Sequence, residues 1–291
     1  MNGILVIDKL GGMTSRDAVN RVQRWFPRKT KIGHTGTLDP LATGVLVVCV
    51  GLATRLADYV QAMGKSYASR FRLGATSTSD DADGDVTETP NAPTPTRDQL
   101  DAALARFIGV IEQVPPAVSA LRVGGRRAHD LVRKGREVAL AARAVRVDAI
   151  RVNRFEWPFL DVEVDCGKGT YIRSIARDLG AALGCRGMVQ TLRRTRVGPF
   201  AAEQGVGVDA PPAELKLLPM LTVLAGFPQL PLTAEEALRL RQGQRVPIAP
   251  ASGGRQPPES VELALLDELG ELLGIGIVER GVLVTRVMFH Q

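Results

Sequence analysis

The chain has 291 residues, 45% apolar and 23% charged, a balance that suits a globular protein and excludes a disordered one. No apolar run approaches the roughly 18 residues of a membrane span, and the N-terminus lacks the basic start and long apolar stretch of a secretory signal. The formal net charge is +6, and its distribution is uneven: 31 Lys and Arg stand against 23 Asp and Glu over residues 1–227, and 6 against 8 over residues 228–291. The basic excess of the first part is a modest sign of a polyanionic partner. The length fits one large domain followed by a small one. Cys49, Cys166 and Cys185 form no Cys-x-x-Cys pair, so buried free thiols and a reducing, cytoplasmic location are expected. His34, His129 and His290 have no zinc-ligand spacing, and no metal is implied.

In chain order, residues 3–8 read as a first strand. Thr14 or Ser15 can cap a helix that carries Val19, Val22 and Phe26 on one side, with Pro27 beyond its end. Val45–Val50 is an apolar run that reads as a buried strand, and residues 52–63 as a helix. Lys65–Leu73 alternates, with Tyr67, Ser69, Phe71 and Leu73 on one face. Residues 77–96 are acidic and then rich in Thr and Pro, as in a loop. Residues 97–108 form an amphipathic helix, and 115–146 a basic surface excursion. Strands follow at about 145–155 and 159–166. Thr170 is placed to cap a helix carrying Ile172, Ile175, Ala176 and Leu179, which Gly184 ends. A further strand spans 188–197. Pro-rich sequence at 211–231 separates a last segment, in which 249–260 reads as an exposed loop and 261–289 as short strands and turns. The expected domains are 1–227 and 228–291.

Gly33-His34-Thr35-Gly36-Thr37-Leu38-Asp39-Pro40-Leu41-Ala42-Thr43-Gly44 holds one acidic side chain among glycines, small polar residues, leucine and proline. Pro40 turns Asp39 away from helical geometry, and the glycines let the backbone bend or approach a ligand closely. The picture is a carboxylate on a shaped loop, anchored by the strand that follows. The dodecamer resembles the catalytic loop of the TruB family of tRNA pseudouridine synthases, Gly-His-Thr-Gly-x-Leu-Asp-Pro-Leu-Ala-Thr-Gly, at every specified position. Cys166-Gly167-Lys168-Gly169-Thr170-Tyr171-Ile172-Arg173 resembles the family's Cys-Ser-Lys-Gly-Thr-Tyr-Ile-Arg, with Gly167 for the usual serine. Lys65-Ser66-Tyr67 resembles its Lys-x-Tyr, and Arg72-Leu73-Gly74 with Asp80-Asp81-Ala82-Asp83-Gly84 its Arg-Leu-Gly and acidic pattern. No chemistry is assigned to that acidic run. The resemblance departs at Val118, Arg122 and His129, outside the catalytic loop, which leaves the gripping of RNA less defined than the reaction.

The resemblance implies the mixed α/β (α+β) pseudouridine synthase fold with a small β-rich C-terminal RNA-binding domain of PUA type. It implies Asp39 as nucleophile, attacking either C6 of uracil or C1′ of ribose, and Arg173 as the cation that keeps it ionised and aimed. Tyr67 would stack on a flipped-out base, Tyr171 and Leu192 would complete its pocket, and His34 would fill the space the base leaves. The expected reaction converts uridine 55 in the T stem-loop of tRNA to pseudouridine. As an isomerisation it needs no cofactor, ATP or metal, which agrees with a chain that has no P-loop or dinucleotide fingerprint. A monomer without an obligatory protein partner is expected. Two basic clusters become candidate phosphate contacts: Arg122, Arg126, Arg127, Arg133, Lys134, Arg136, Arg143 and Arg146, and then Arg186, Arg193, Arg194 and Arg196. A guide-dependent synthase acting on ribosomal RNA and a non-catalytic RNA-binding or tRNA-folding protein are the alternatives.

Overall fold

A computed structural model describes residues 1–119, 122–123, 126–127, 140–210, 215–248 and 258–289. Strand β1 (Gly3–Lys9) is buried on both faces, as its unbroken apolar run requires. Leu5 and Ile7 enter one core, Ile4 and Val6 another. Strand β3 (Thr43–Val50) divides in the same way: Leu46, Val48 and Val50 join the first core, Val45, Val47 and Cys49 the second. The two strands pair antiparallel from Gly3↔Val50 to Lys9↔Gly44, and short β2 (Ile32–His34) pairs with the far end of β3. Helix α1 (Ser15–Gln23) starts at Thr14 with a reciprocal cap. The Asp17 amide donates to the Thr14 hydroxyl and the Thr14 amide to the Asp17 carboxylate.

Residues 52–63, expected as one helix, instead make a 3-10 stretch (Gly51–Leu56) and a short α2 (Ala57–Ala62). The Thr54 hydroxyl donates to the Gly51 carbonyl at 2.8 Å, and Asn2 takes the Leu52 amide at 2.8 Å, so the first turn is closed by bonds an α-helix does not use. Then come β4 (Lys65–Leu73), β5 (Ala75–Ser77) and its partner β6 (Val86–Glu88), the latter within the expected loop, α3 (Arg97–Ala105) and β7 (Gly109–Gln113). Within the basic excursion the described backbone forms β8 (Arg122–Val123) and β9 (Arg126–Arg127). Arg133, Lys134 and Arg136 lie outside the described residues. Strands β10 (Arg143–Glu156) and β11 (Phe159–Cys166), helix α4 (Ile172–Ala182) and strands β12 (Gly187–Val197), β13 (Phe200–Ala201) and β14 (Val206–Gly207) follow.

The large sheet runs β14-β1-β3-β12-β4-β11-β10-β7, with β13 beside β12 and β2 beside β3. It is mixed: β1–β14 and β3–β12 are parallel, the other pairs antiparallel. α1, α3 and α4 cover one face through Val19, Leu100, Ile175 and Leu179. α4 can sit this close to the start of β12 because residue 180 is glycine; a Cβ there would lie 2.1 Å from the Arg186 carbonyl carbon.

The last segment contains β15 (Gln229–Pro231), helix α5 (Ala234–Arg241), β16 (Val246–Pro247), β17 (Glu262–Leu266), β18 (Leu272–Glu279) and β19 (Val282–Met288), with sheet order β15-β17-β18-β19-β16. The helix begins at Thr233 with another reciprocal cap and carries Ala237 and Leu240 inward; the expectation of strands and turns for this segment did not include it. Most of the loop expected at 249–260 lies outside the described residues. β17 faces two ways. Leu263 and Leu265 belong to the unit's own core, Ala264 and Leu266 to the second core beneath β1 and β3. The Tyr59 hydroxyl reaches Glu262 at 3.0 Å across the same junction.

Candidate active site

The loop from the end of β2 to the start of β3 carries Asp39, and its shape is fixed from several sides. Leu38 and Ala42 are buried in the first core. The Ala42 amide donates to the Asp39 carbonyl at 3.1 Å, closing a turn with Pro40 at its favoured second position. Ser15, at the start of α1, accepts from the Leu38 amide at 2.8 Å and donates to the Leu38 carbonyl at 3.0 Å. Lys9 is fully buried and donates to the Leu10, Met13 and Pro40 carbonyls; burial pushes its ammonium down to about 8. The loop ends at Gly44, with φ of +96° and a position where a Cβ would stand 2.1 Å from the Arg194 carbonyl oxygen. Only glycine meets both conditions.

Arg173 comes from α4, which follows β11 after the Gly-x-Gly turn. The helix does not begin with Thr170 as its cap. Tyr171 occupies that position without a side-chain cap, because the Thr170 hydroxyl donates instead to the Arg146 carbonyl at 3.2 Å. Arg173 is 3% exposed. Its Nη2 donates to Asp39 Oδ1 at 3.0 Å and to the Val118 carbonyl at 3.1 Å; its Nη1 donates to the Ser79 carbonyl at 2.8 Å and lies 3.4 Å from Asp81 Oδ2. One guanidinium therefore holds two carboxylates and two carbonyls, a fork geometry suited to arginine and not to lysine.

The acidic run to which no chemistry was assigned thus forms part of the site. Asp81 is buried and accepts from Ser79 Oγ at 2.5 Å, while Asp83 accepts from the Leu41 amide at 2.8 Å and so holds the Asp39 loop directly. Burial raises the Asp39 carboxyl above its usual range; Arg173 opposes the rise, and Asp81 and Asp83 add to it. The carboxylate is oriented without being made inert.

Asp39, Tyr67, Tyr171, Arg173 and Leu192 line one cavity of about 390 Å³. β4 and β12 pair at Arg194↔Tyr67, which sets Tyr67 beside Leu192 and Arg194 in its wall. Burial pushes the Tyr67 phenol up, and the positive charge of Arg194 acts against it. Tyr171 is fixed through its backbone: its amide donates to Gln113 Oε1 at 2.8 Å and Gln113 Nε2 donates back to its carbonyl at 3.1 Å. Arg143 covers its ring with the guanidinium 5.3 Å from the centroid. His34 is not in the cavity wall. It ends β2 at the head of the loop, half-buried, and burial lowers its imidazole, followed by Arg16 and Arg194. The second basic cluster is not a uniform phosphate-binding face. Arg193 pairs with Asp8 at 2.8 Å, and Arg194 is buried, its Nε donating to Val45 O at 2.7 Å and its Nη2 to Gly36 O at 3.2 Å.

Sequence reasoning missed Lys9, Ser79, Asp81, Asp83, Gln113 and the inward turn of Arg194. The compact acidic run was the available signal for two of them, Asp81 and Asp83. No spacing in the sequence reveals that it folds against a loop about 40 residues upstream.

A carboxylate loop, an arginine clamp and an aromatic cavity thus meet on one mixed sheet. Residues 24–172 match the model of the TruB family pseudouridylate synthase N-terminal domain, 173–210 that of the tRNA pseudouridylate synthase B C-terminal domain, and 228–289 that of the pseudouridine synthase II TruB C-terminal domain. Proteins called tRNA pseudouridine synthase B are 45% identical in Mycobacterium sp. (strain KMS), over 91% of this chain and 92% of the relative, and 44% identical in Cereibacter sphaeroides, over 100% and 97%. The chain belongs to the TruB family of pseudouridine synthases. In fold it is similar to a solved Cbf5-Nop10-Gar1 complex, with a TM-score of 0.72 at 23% identity over 99% of this chain and 84% of that one.

Proposed function

We propose that the chain isomerises uridine 55 in the T arm of tRNA, with Asp39 as nucleophile on a flipped-out base, working alone and without a guide RNA. The names of its relatives support tRNA as the substrate class. The observation that carries the reading is the Asp39 carboxylate, held 3.0 Å from Arg173 at the wall of a cavity shared with Tyr67, Tyr171 and Leu192.

In this reading, the uridine leaves its stack at a cost of a few kcal/mol, lowest in a loop, and stacking on Tyr67 offsets about 1–3 kcal/mol. Asp39 attacks C1′ of the ribose or C6 of the uracil. The C1′–N1 bond breaks, the base turns, C1′ joins C5, and the C5 proton leaves as N1 gains one. Arg173 aims the carboxylate, Tyr171 and Leu192 bound the base, and His34 occupies the position from which the nucleotide swings out. Residues 1–227 carry the chemistry and 228–291 form a second, weaker RNA contact.

Purified protein incubated with unmodified tRNA transcript should form pseudouridine. Asp39→Asn should lower turnover by at least about a thousand-fold and leave RNA affinity within a few-fold. Product that requires an added guide RNA would favour the guide-dependent alternative, and tight binding without product would favour an RNA-folding protein.

A further inference from the structure

Arg194 differs from Arg173 and Arg193 in what it touches. Arg173 has Asp39 and Asp81, and Arg193 has Asp8. The partners of Arg194 are the Val45 and Gly36 carbonyls and the Tyr67 hydroxyl, and no carboxylate among the described residues forms an ion pair with it. It is nonetheless 4% exposed. A buried guanidinium without a counter-charge is costly, and carbonyl dipoles compensate it only in part. Its charge acts on the groups around it, opposing protonation of Lys9, Lys65 and His34 and favouring ionisation of Tyr67. It also stands in the wall of the base cavity with Asp39, Tyr67 and Leu192. The pocket thus holds a cation that pairs with no carboxylate among the described residues, in a wall whose one carboxylate, Asp39, is held by Arg173.

Resting on the function proposed above, we infer that Arg194 is the electrostatic partner of the negative charge that develops on the uracil during isomerisation. Either chemical route produces that charge. Attack of Asp39 at C1′ forms an ester oxygen–carbon bond and sends the C1′–N1 electron pair onto the base, spread over N1, O2 and O4. Attack at C6 forms the bond to the base and sends the C5–C6 π electrons towards O4. In both cases the charge is discharged when C5 joins C1′, the Asp39 carboxylate is released and the C5 proton is replaced at N1. A fixed cation already desolvated beside the ring stabilises such a species more than the neutral ground state, which is the condition for accelerating the step. The two carbonyl bonds, one at each end of the 36–45 loop, keep the guanidinium in place without neutralising it.

The test compares leaving-group dependence in wild type, R194Q and R194K. Single-turnover consumption of the target nucleoside is followed in tRNA transcripts made with uridine or with 5-fluorouridine, whose fluorine stabilises a base anion by itself. Melting temperature and RNA affinity are measured alongside. R194Q is expected to lose about 100-fold on uridine and at least ten-fold less on 5-fluorouridine, and R194K to recover at least ten-fold over R194Q on uridine. Equal loss on both substrates would make Arg194 a staple of the loop alone and overturn the inference while leaving the reading of the site intact. If R194Q does not fold, the wild-type enzyme decides. A rate ratio between the two substrates within about three-fold supports a charge already compensated, and a ratio above about 30-fold overturns it. Wild-type protein that consumes neither nucleoside overturns the function and the inference with it.

Discussion

At the scale of single residues, Asp39 sits between opposing influences, and their signs make predictions. Its folded-state carboxyl is raised above the ordinary 3.8, chiefly by burial. A raised acid takes up its proton earlier as pH falls, and the protonated form is not a nucleophile. Single-turnover rate should therefore decline on an acid limb above that value; a rate independent of pH down to about 4 would contradict the assignment. Asp81→Asn should act in two directions. Removing a negative neighbour moves the limb to lower pH, while loosening Arg173 lowers the plateau by about ten-fold or more, or about 1.4 kcal/mol of barrier. A variant with both features unchanged would make Asp81 a bystander. The Asp39 loop was legible in the sequence because its glycines and Pro40 mark it locally, although distant residues complete its shape. Asp81 and Gln113 were not, because each acts through contacts made when distant segments meet, and neither was Lys9, whose burial brings it to Pro40 as well as to its near neighbours. Arg194 was misread for a related reason: a run of arginines suggests a solvated face, and strand alternation inside a mixed sheet sends one of them into the interior.

At the scale of elements, the Asp39 loop and α4 rest on strands that approach one another more closely than side chains allow. Gly44→Ala should cost at least about 2 kcal/mol from its positive φ alone, lowering the melting temperature by about 4–8 °C. The clash with the Arg194 backbone would also shift the loop, so turnover should fall as well. Calorimetry and single-turnover assays on one preparation check both, and a variant as stable and active as wild type would refute the account. β1 and β3 were readable because burial on two faces leaves long apolar runs. The break at 51–56 was not, since it depends on Thr54 and Asn2 bonding to particular backbone groups. Thr170 shows the same limit: a good capping residue gave its hydroxyl to a neighbouring strand and left the helix start to Tyr171.

At the scale of the whole molecule, the +8 balance of residues 1–227 against −2 for 228–291, from 31 against 23 and 6 against 8, puts the positive excess on the part that carries the Asp39 loop. Proline content and charge suggest a boundary near 227, but they do not reveal the depth of the junction. Ala264, Leu266, Leu272, Ile275 and Phe289 share a core with Ile4, Val6 and Val47. A chain ending at residue 227 would uncover that apolar face. It should bind a hydrophobic dye and self-associate on size-exclusion chromatography; a monodisperse, fully active truncation would show the shared core to be dispensable. The same junction has a metric consequence. Two parts welded through one interior cannot pivot, so any RNA touching both meets a ruler of set span. Adding base pairs between the two footholds would carry the reactive nucleotide past the carboxylate even with its own loop unaltered.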